Sequence, residues 1–382
     1  MVLSKEDPNY RQCSISVMDN IADPNITFDE KGICNYYYEY KHKEREFVYV
    51  GLTGQKKLNS LINDIKKRSK GKKYDCILGV SGGVDSTYLA ILSKQWGLNP
   101  LLVHFDNGWN SELAVENINK IIKYTKFDIY TYVVDWEEYK DLQRSFIKAD
   151  VIDLESIMDI GFVNALQLIN KKYNIGFVID GQNIVTEGLL PNSWIHKTQE
   201  NLINIHKLFG QKRLKTYPLI NVLNQYRFKY FNRLKYVSPL NYIEYNKEEV
   251  KKIITSEIGW VDYGGKHYES VFTRFYQGYI LPEKFKVDKR KAHLSNLIFS
   301  GQLTKKQATN ELEKPIYPQE LFNKDYSFVL KKLEFSDLEF KDYLNRQMIS
   351  HEQYGSFISV WEKYKFLKIL KPLNFMIKKI LE

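Results

Sequence analysis

A near-continuous apolar run, "YDCILGV" (Tyr74–Val80), passes through "SGGVDS" (Ser81–Ser86) into the helical pattern "TYLAILSKQWG". The same alternation then repeats down the chain. "PLLVHFD" reads as a strand, "SELAVENINKIIKYT" as a helix, "DIYTYVVD" as a strand, "WEEYKDLQRSFIKA" as a helix and "IGFVIDG" as a strand. Strands separated by helices are βαβ crossovers, which pair in parallel. Strand residues that stay apolar almost throughout suit a sheet covered by helices on both faces. The expected fold class is therefore α/β, a doubly wound parallel sheet over residues 54–190. A helix from Gly54 to Lys70 leads into it. Residues 1–53 are turn-rich, with strand-like pieces in "ITFDEKGICNYYYEY" and "EFVYVG", and residues 191–382 lose the strands and become mostly helical.

Lys and Arg number 56 against 46 Asp and Glu, a net charge of +10, which attracts anions such as nucleotides, sugar phosphates, RNA or acidic lipid. The densest basic run, Lys66–Lys73, reads as a solvated helix end favoured by the helix dipole, with an RNA or lipid patch as its alternative. Three cysteines, Cys13, Cys34 and Cys76, do not make a disulfide scaffold. The N-terminus is polar, and no stretch approaches the roughly 18 apolar residues of a transmembrane helix. A cytoplasmic protein without a transmembrane segment is expected. The basic C-terminal stretch "WEKYKFLKILKPLNFMIKKILE" reads as a packed helix rather than a membrane-surface one, because Pro372 interrupts its pattern.

In an open parallel sheet, ligands bind beyond the carboxyl ends of the strands. "SGGVDS" sits at such an end. Gly82 and Gly83 let the backbone bend and approach a ligand closely, and the following helix turns free N–H groups and a positive dipole end to the same point. Ser81 and Ser86 add hydroxyls. Asp85 suits a phosphate site only through an intervening cation, which implies Mg²⁺. An ordinary Gly-rich turn is the plain alternative, and the loop matches neither G-x-x-x-x-G-K-[ST] nor G-x-G-x-x-G. Two more strand ends converge on the same edge: His104, Asp106 and Asn107, then Gly181, Gln182, Asn183, Thr186 and Glu187. Turn formation and capping can account for any one of these.

The pattern S-G-G-x-D-S after a first strand resembles the pyrophosphate loop of the ATP pyrophosphatase (PP-loop) superfamily, whose fold is adenine nucleotide alpha hydrolase-like. That resemblance implies ATP, with its β- and γ-phosphates gripped by the loop and its α-phosphorus attacked by a substrate oxygen. It also implies that His104, Asp106 and Asn107 seat the adenosine. Over most of the chain, the blocks "VMDNIADPNITFDEKGICN", "HFDNGWNSELAVENI", "VVDWEEYKDLQRSF", "GWVDYGGKHYESVFTRFYQGYILPEKF" and "DKRKAHLSNLIFSGQLT" resemble the bacterial N-acetyl sugar amidotransferases of WbpG and PseA type. Membership implies conversion of an acetamido group on a nucleotide-activated sugar into an acetamidino group, in O-antigen, lipopolysaccharide or related surface-glycan biosynthesis. Ammonia is then expected from a separate glutaminase subunit, and nucleic acid is not an expected partner.

On that resemblance the catalytic candidates are Asp85, Ser86, Asp159, Lys266 and His267. Substrate candidates are Glu187, Lys266, His267, Tyr268, Glu269, Arg274, Lys289, Arg290 and His293, with Ser270 and Asp288 beside them. Packing and surface ion pairs are the plain explanation for each charge. Relatives carry two C-x-x-C pairs near the N-terminus, a zinc-ribbon-like segment. Here only Cys13 and Cys34 remain, with Ser16 and Tyr37 in the other two places, so zinc is not expected and aromatic packing of "NYYYEY" is. Relatives also place a His beside the acidic residue of the "DVIDLESIMDIGF" stretch, where Ile160 follows Asp159. Two other functions stay open on the sequence: a tRNA-modifying PP-loop enzyme, favoured by the positive charge, and a non-catalytic nucleotide-sugar-binding scaffold.

Overall fold

A computed structural model describes residues 6–221, 224, 234–265 and 268–355. Five strands, β1 (Ile77–Gly79), β2 (Leu101–Asp106), β3 (Ile129–Val133), β4 (Phe177–Ile179) and β5 (Lys235–Val237), form one sheet in the order β3-β2-β1-β4-β5. Every pairing is parallel, with Ile77 opposite Leu101 on one side and Val178 on the other. The order reverses between β1 and β4, so the switch point lies where the Ser81–Ser86 loop leaves the sheet.

Strand alternation divides the core. Leu78, Leu102 and Ile179 face one side, where they pack with Leu58, Ile62 and Ile65 of α2 (Gly51–Ser69), Leu89 of α3 (Val84–Gln95) and Ile118 and Ile121 of α4 (Glu112–Thr125). Ile77, Leu101, Val103 and Val178 face the other side, against Leu166 and Ile169 of α6 (Ser156–Tyr173). The helices start and stop where side chains permit. Ser111 and Asp135 accept hydrogen bonds from Ala114 N and Glu138 N at the starts of α4 and α5 (Trp136–Lys148). Lys126 and Asn174 close α4 and α6 in the left-handed region, at φ 62° and 52°.

Three elements depart from the expected pattern. "NYYYEY" belongs to a helix, α1 (Asn35–Phe47), because Tyr36 and Tyr40 fall four apart on one buried face. α6 is a second helix between α5 and β4. β5 adds a strand beyond residue 190, pairing with β4 through Phe177 and Lys235.

Beyond the sheet come α7 (Ile184–Glu187), α8 (Gln199–Phe209), α9 (Lys247–Ile258), α10 (Val271–Phe275), α11 (Leu281–Phe285), α12 (Arg290–Phe299), α13 (Lys305–Glu313), α14 (Gln319–Leu333) and α15 (Asp337–Asn345). A π-helical turn, Tyr276–Ile280, joins α10 to α11. Aromatic side chains dominate this part of the core, with Phe275 5.9 Å from Phe340 and Phe340 5.6 Å from Tyr343 between ring centroids. The N-terminal segment packs onto the same cluster. Cys13 and Cys34 are buried together, and the Cys34 backbone N–H donates to the Cys13 sulfur at 3.3 Å. The Cys34 thiol hydrogen-bonds to that sulfur as well, which lowers Cys13 and raises Cys34. Tyr37 sets its ring 5.4 Å from Phe299. Among the described residues, no helix is long and apolar enough to cross a membrane. The C-terminal stretch from Trp361 onward lies outside the described residues.

Candidate functional site

The loop leaving β1 has the shape its glycines allow. Gly82 takes φ 80°, and a Cβ there would lie 2.6 Å from the Ala114 carbonyl oxygen, so only glycine fits beside α4. The indole N–H of Trp260 donates to the Gly82 carbonyl at 2.8 Å. Gly83 is the N-cap of α3, with no side-chain acceptor for the first N–H groups of that helix. The hydroxyls of Ser81 and Ser86 fold back on the loop through long hydrogen bonds. Gly83 N donates to Ser81 Oγ at 3.3 Å and Ser86 Oγ to Gly83 O at 3.3 Å.

The loop after β4 closes the other wall. A Cβ on Gly181 would come within 2.9 Å of Asp85 Cβ and 3.1 Å of Ser86 N, so the absence of a side chain lets the two loops touch. Asn183 caps α7 through Thr186 N at 2.8 Å and turns its amide N–H toward Asp85 Oδ1 at 3.4 Å. Burial pushes Asp180, just before it, up to about 6, with Ser238 donating to it at 2.7 Å. Gln182 N donates to the same carboxylate at 3.1 Å.

Asp85 is the centre of the arrangement. The Tyr245 hydroxyl donates to its Oδ1, and Lys247 Nζ stands 3.9 Å from its Oδ2. Burial, then the Asp85 charge, drive the Tyr245 phenol far above its ordinary value, so it stays a donor. Tyr263 is raised in the same way by burial and by Glu269, whose backbone oxygen accepts from Ser111 N at 2.8 Å. Glu187 adds negative charge near Tyr245 and Asp180. Tyr245 and Lys247 lie outside the blocks singled out in the sequence, and Trp260 and Tyr263 fall inside "GWVDYGGKHYESVFTRFYQGYILPEKF" without being site candidates there. Only the start of an amphipathic helix after Asn246 marks where Lys247 stands.

At the end of β2, His104 is buried between Val80 O (3.1 Å from Nδ1) and Asn110 Nδ2 (3.0 Å from Nε2). Those partners assign the proton to Nδ1. Asp106 accepts from Gly108 N at 2.9 Å and Asn110 Nδ2 at 3.0 Å. Asn107 accepts from Trp109 N at 3.2 Å and donates to the Tyr139 hydroxyl at 3.0 Å. All three shape the loop that leads, through Ser111 and α4, to Ala114 and Gly82.

The second group of candidates divides. Lys266 and His267 lie outside the described residues. Tyr268 sits beside Gly265, with Arg274 6.0 Å from its ring. Arg274 makes a two-point ion pair with buried Asp325, at 2.6 and 2.8 Å, and Tyr317 donates to the same carboxylate. Arg290 spans Asp288 (2.8 Å) and the carbonyls of Glu311 and Lys314 (3.2 and 2.9 Å). Both arginines thus serve as ties between segments of the C-terminal half. His293 is half-buried on α12. Lys289 pairs with Glu155 at 2.7 Å, and Lys197 with Asp159 at 2.7 Å, so Asp159 and Lys289 meet at one cavity on the α6 side.

The molecule is an open parallel α/β protein with a Gly-rich, anion-ready loop at the carboxyl end of its central strand. Residues 269–369 match the family described as LPS biosynthesis protein WbpG-like, C-terminal domain. The chain is also similar to an uncharacterized protein of Methanocaldococcus jannaschii, 24% identical over 319 residues that cover 81% of this chain and 96% of that one. Among solved structures, NMN synthetase from Francisella tularensis aligns over 59% of this chain and 93% of its own, at 16% identity and a TM-score of 0.28.

Proposed function

We propose that the chain is an ATP-dependent amidotransferase that converts the acetamido group of a nucleotide-activated sugar into an acetamidino group during lipopolysaccharide or related surface-glycan biosynthesis. The observation that carries this reading is the cradle at the switch point. Gly82 makes a left-handed turn that only glycine fits beside α4, α3 begins there with no side-chain cap on its first N–H groups, and Gly181 lets the loop after β4 close against Asp85. The WbpG-like match over residues 269–369 supports the sugar class.

The residues fit ATP with Mg²⁺. The amides at the start of α3 suit a phosphate chain, and Asp85, a carboxylate in a phosphate cradle, is the group to hold Mg²⁺. The cation supplies charge neutralisation between carboxylate and phosphates when bound. Lys247, already drawn to Asp85, is placed to contact the polyphosphate.

An amide oxygen is a poor leaving group, so ammonia alone does not displace it. Attack of that oxygen on the α-phosphorus forms an O–P bond and releases pyrophosphate. Ammonia's lone pair then forms a C–N bond as the C–O bond to AMP breaks. The sugar nitrogen keeps its own N–H, and one ammonia proton is given up to the departing phosphate or to solvent, leaving an amidinium and AMP. Two easier displacements replace one difficult one. Water must be kept away, since hydrolysis regenerates the acetamide.

The test incubates the protein with ATP, Mg²⁺, ammonium chloride and a panel of nucleotide-linked acetamido sugars. Mass spectrometry should find a sugar lighter by the difference between O and NH, with AMP and pyrophosphate formed alongside it. Asp85→Asn should slow the reaction by about 10²–10³, the size of one preorganised electrostatic contact. Absence of pyrophosphate with every such sugar contradicts the assignment.

A further inference from the structure

Because every strand pairing is parallel, the Ser81–Ser86 loop and the other carboxyl ends share one edge of the sheet, and the amino ends share the opposite edge. α2, α3, α4 and α6 all end at that amino edge, and the closing turn of each carries basic side chains. α2 leads into the run Lys66–Lys73, and Lys235 opens β5 at the same edge. Contacts between these ends make them one face. Lys66 Nζ donates to Trp96 O at 2.7 Å, Lys94 Nζ donates to Tyr124 O at 2.6 Å, and Lys73 pairs with Asp128 at 3.0 Å. Tyr74, just before β1, sets its ring 5.6 Å from Tyr173 at the end of α6.

The positive charge on this face exceeds what the fold itself calls for. A helix C-terminus carries about half a negative elementary charge, which a single lysine offsets. Asp128 and Asp64 answer Lys73 and Arg68, at 3.0 and 2.7 Å. Lys67, Lys70, Lys72 and Lys171 are exposed and make no ion pair among the described residues. The face is also blunt. Its four helices meet it end-on, so none lies along it to enter a nucleic-acid groove. Lys94 lies 4.3 Å from the Tyr124 ring and Lys172 4.9 Å from the Tyr130 ring, while Tyr173 stands edge-on to both Tyr74 and Tyr130. Rings occupied in this way offer no open platform for base stacking. Among the described residues, no exposed large apolar side chain lies on these closing turns.

We propose that the amino edge of the sheet docks the protein on a negatively charged lipid surface. Lipid phosphates supply the counter-charge that Lys67, Lys70, Lys72 and Lys171 lack within the fold. With no apolar side chain to insert, the attachment is electrostatic, reversible and weakened by salt. Docked in this way, the protein keeps the Ser81–Ser86 loop on the far edge, open to solution. The attachment needs nothing of the reaction at that loop and stands or falls separately from it.

Lys70→Gln with Lys72→Gln, and Lys67→Gln with Lys171→Gln, each remove two charges from exposed positions of this face, so one pair remains where the other unfolds the chain. Lys324→Gln with Lys331→Gln removes the same charge from α14, whose Lys332 reaches Gly108 O beyond the carboxyl end of β2. The full chain is sedimented with vesicles of phosphatidylcholine, with and without phosphatidylglycerol, and titrated in parallel with a uridine oligonucleotide. Wild type is expected to bind only the vesicles that contain phosphatidylglycerol, and to leave them at about 0.5 M salt, where screening is nearly complete. Either amino-edge pair should weaken vesicle binding by roughly thirtyfold, about fivefold per lysine, and the α14 pair should leave it unchanged. No binding to phosphatidylglycerol at low salt, binding that survives high salt, or the same vesicle affinity in the amino-edge and α14 variants overturns the lipid face. Tighter binding to the oligonucleotide than to the vesicles, lost in the amino-edge pairs, makes the partner a nucleic acid and overturns it as well.

Discussion

Gly181 and Asp85 touch across the two loops of the central strands: a side chain on Gly181 would stand 2.9 Å from the Asp85 Cβ. Gly181→Ala must therefore displace Asp85 and the start of α3, while most of the core is untouched. The variant is expected to fold and to lose ATP affinity, with KM for ATP raised by about tenfold or more. Unchanged ATP kinetics would show that the loops do not share a ligand.

Lys247 stands 3.9 Å from the Asp85 carboxylate with little solvent around either group. Lys247→Met removes that cation but keeps the stem. Loss of one charge-assisted contact, worth about 1.5–3 kcal/mol, should weaken ATP binding by roughly one to two orders of magnitude in titration calorimetry. Equal affinity would remove Lys247 from the nucleotide site.

Arg274 and Asp325 form a buried ion pair with two hydrogen bonds. Asp325→Asn leaves Arg274 without its counter-charge, and breaking such a pair costs about 3–5 kcal/mol. Denaturant unfolding should show a loss of that order. A stability within error of wild type would point to a substrate role for Arg274 instead.

His351 is buried and stacked on His196, ring centroids 4.7 Å apart, and burial lowers it to about 3. It donates through Nδ1 to Asn201 and accepts from Asp153 N, so it stays neutral in the fold. The unfolded chain binds the proton more tightly, so stability is lost as pH falls below the ordinary histidine value near 6.5, by about 1.4 kcal/mol per unit. Asp153 and Asp180, raised by burial to about 6, act oppositely: their protonated forms favour the fold, and they reduce stability as pH rises from about 3.8 to 6. Both remain in His351→Gln. Between pH 6.5 and 5, that variant should lose less stability than wild type by about 2 kcal/mol. Parallel pH profiles would mean that His351 is not held neutral by the fold.

The sheet was legible because β1, β2 and β4 are apolar on both faces, which gives uninterrupted runs in the sequence. β5 was not legible, since it is a three-residue edge strand whose Lys235 and Tyr236 face solvent. α6 escaped notice for the opposite reason. It is apolar around much of its circumference, so its helical period is faint. At the site, the loop glycines declared themselves through spacing. Tyr245 lies 160 residues from Asp85 and meets it only through the fold. For the cationic candidates Arg274 and Arg290, sequence composition does not say which carboxylate each one faces, and Arg274 meets Asp325 only through the fold. Lys289 is likewise paired directly with Glu155, at 2.7 Å, a partner that only the fold brings to it.

The most direct test follows the amide oxygen. An acetamido nucleotide sugar labelled with heavy oxygen at its carbonyl is incubated with ATP and ammonium, and the AMP is weighed by mass spectrometry. Attack of that oxygen on the α-phosphorus places the label in AMP, and an acetamidino sugar without it accompanies the nucleotide. Amidine formed with unlabelled AMP, or labelled sugar returned unchanged while ATP is consumed, would contradict transfer of AMP to the amide.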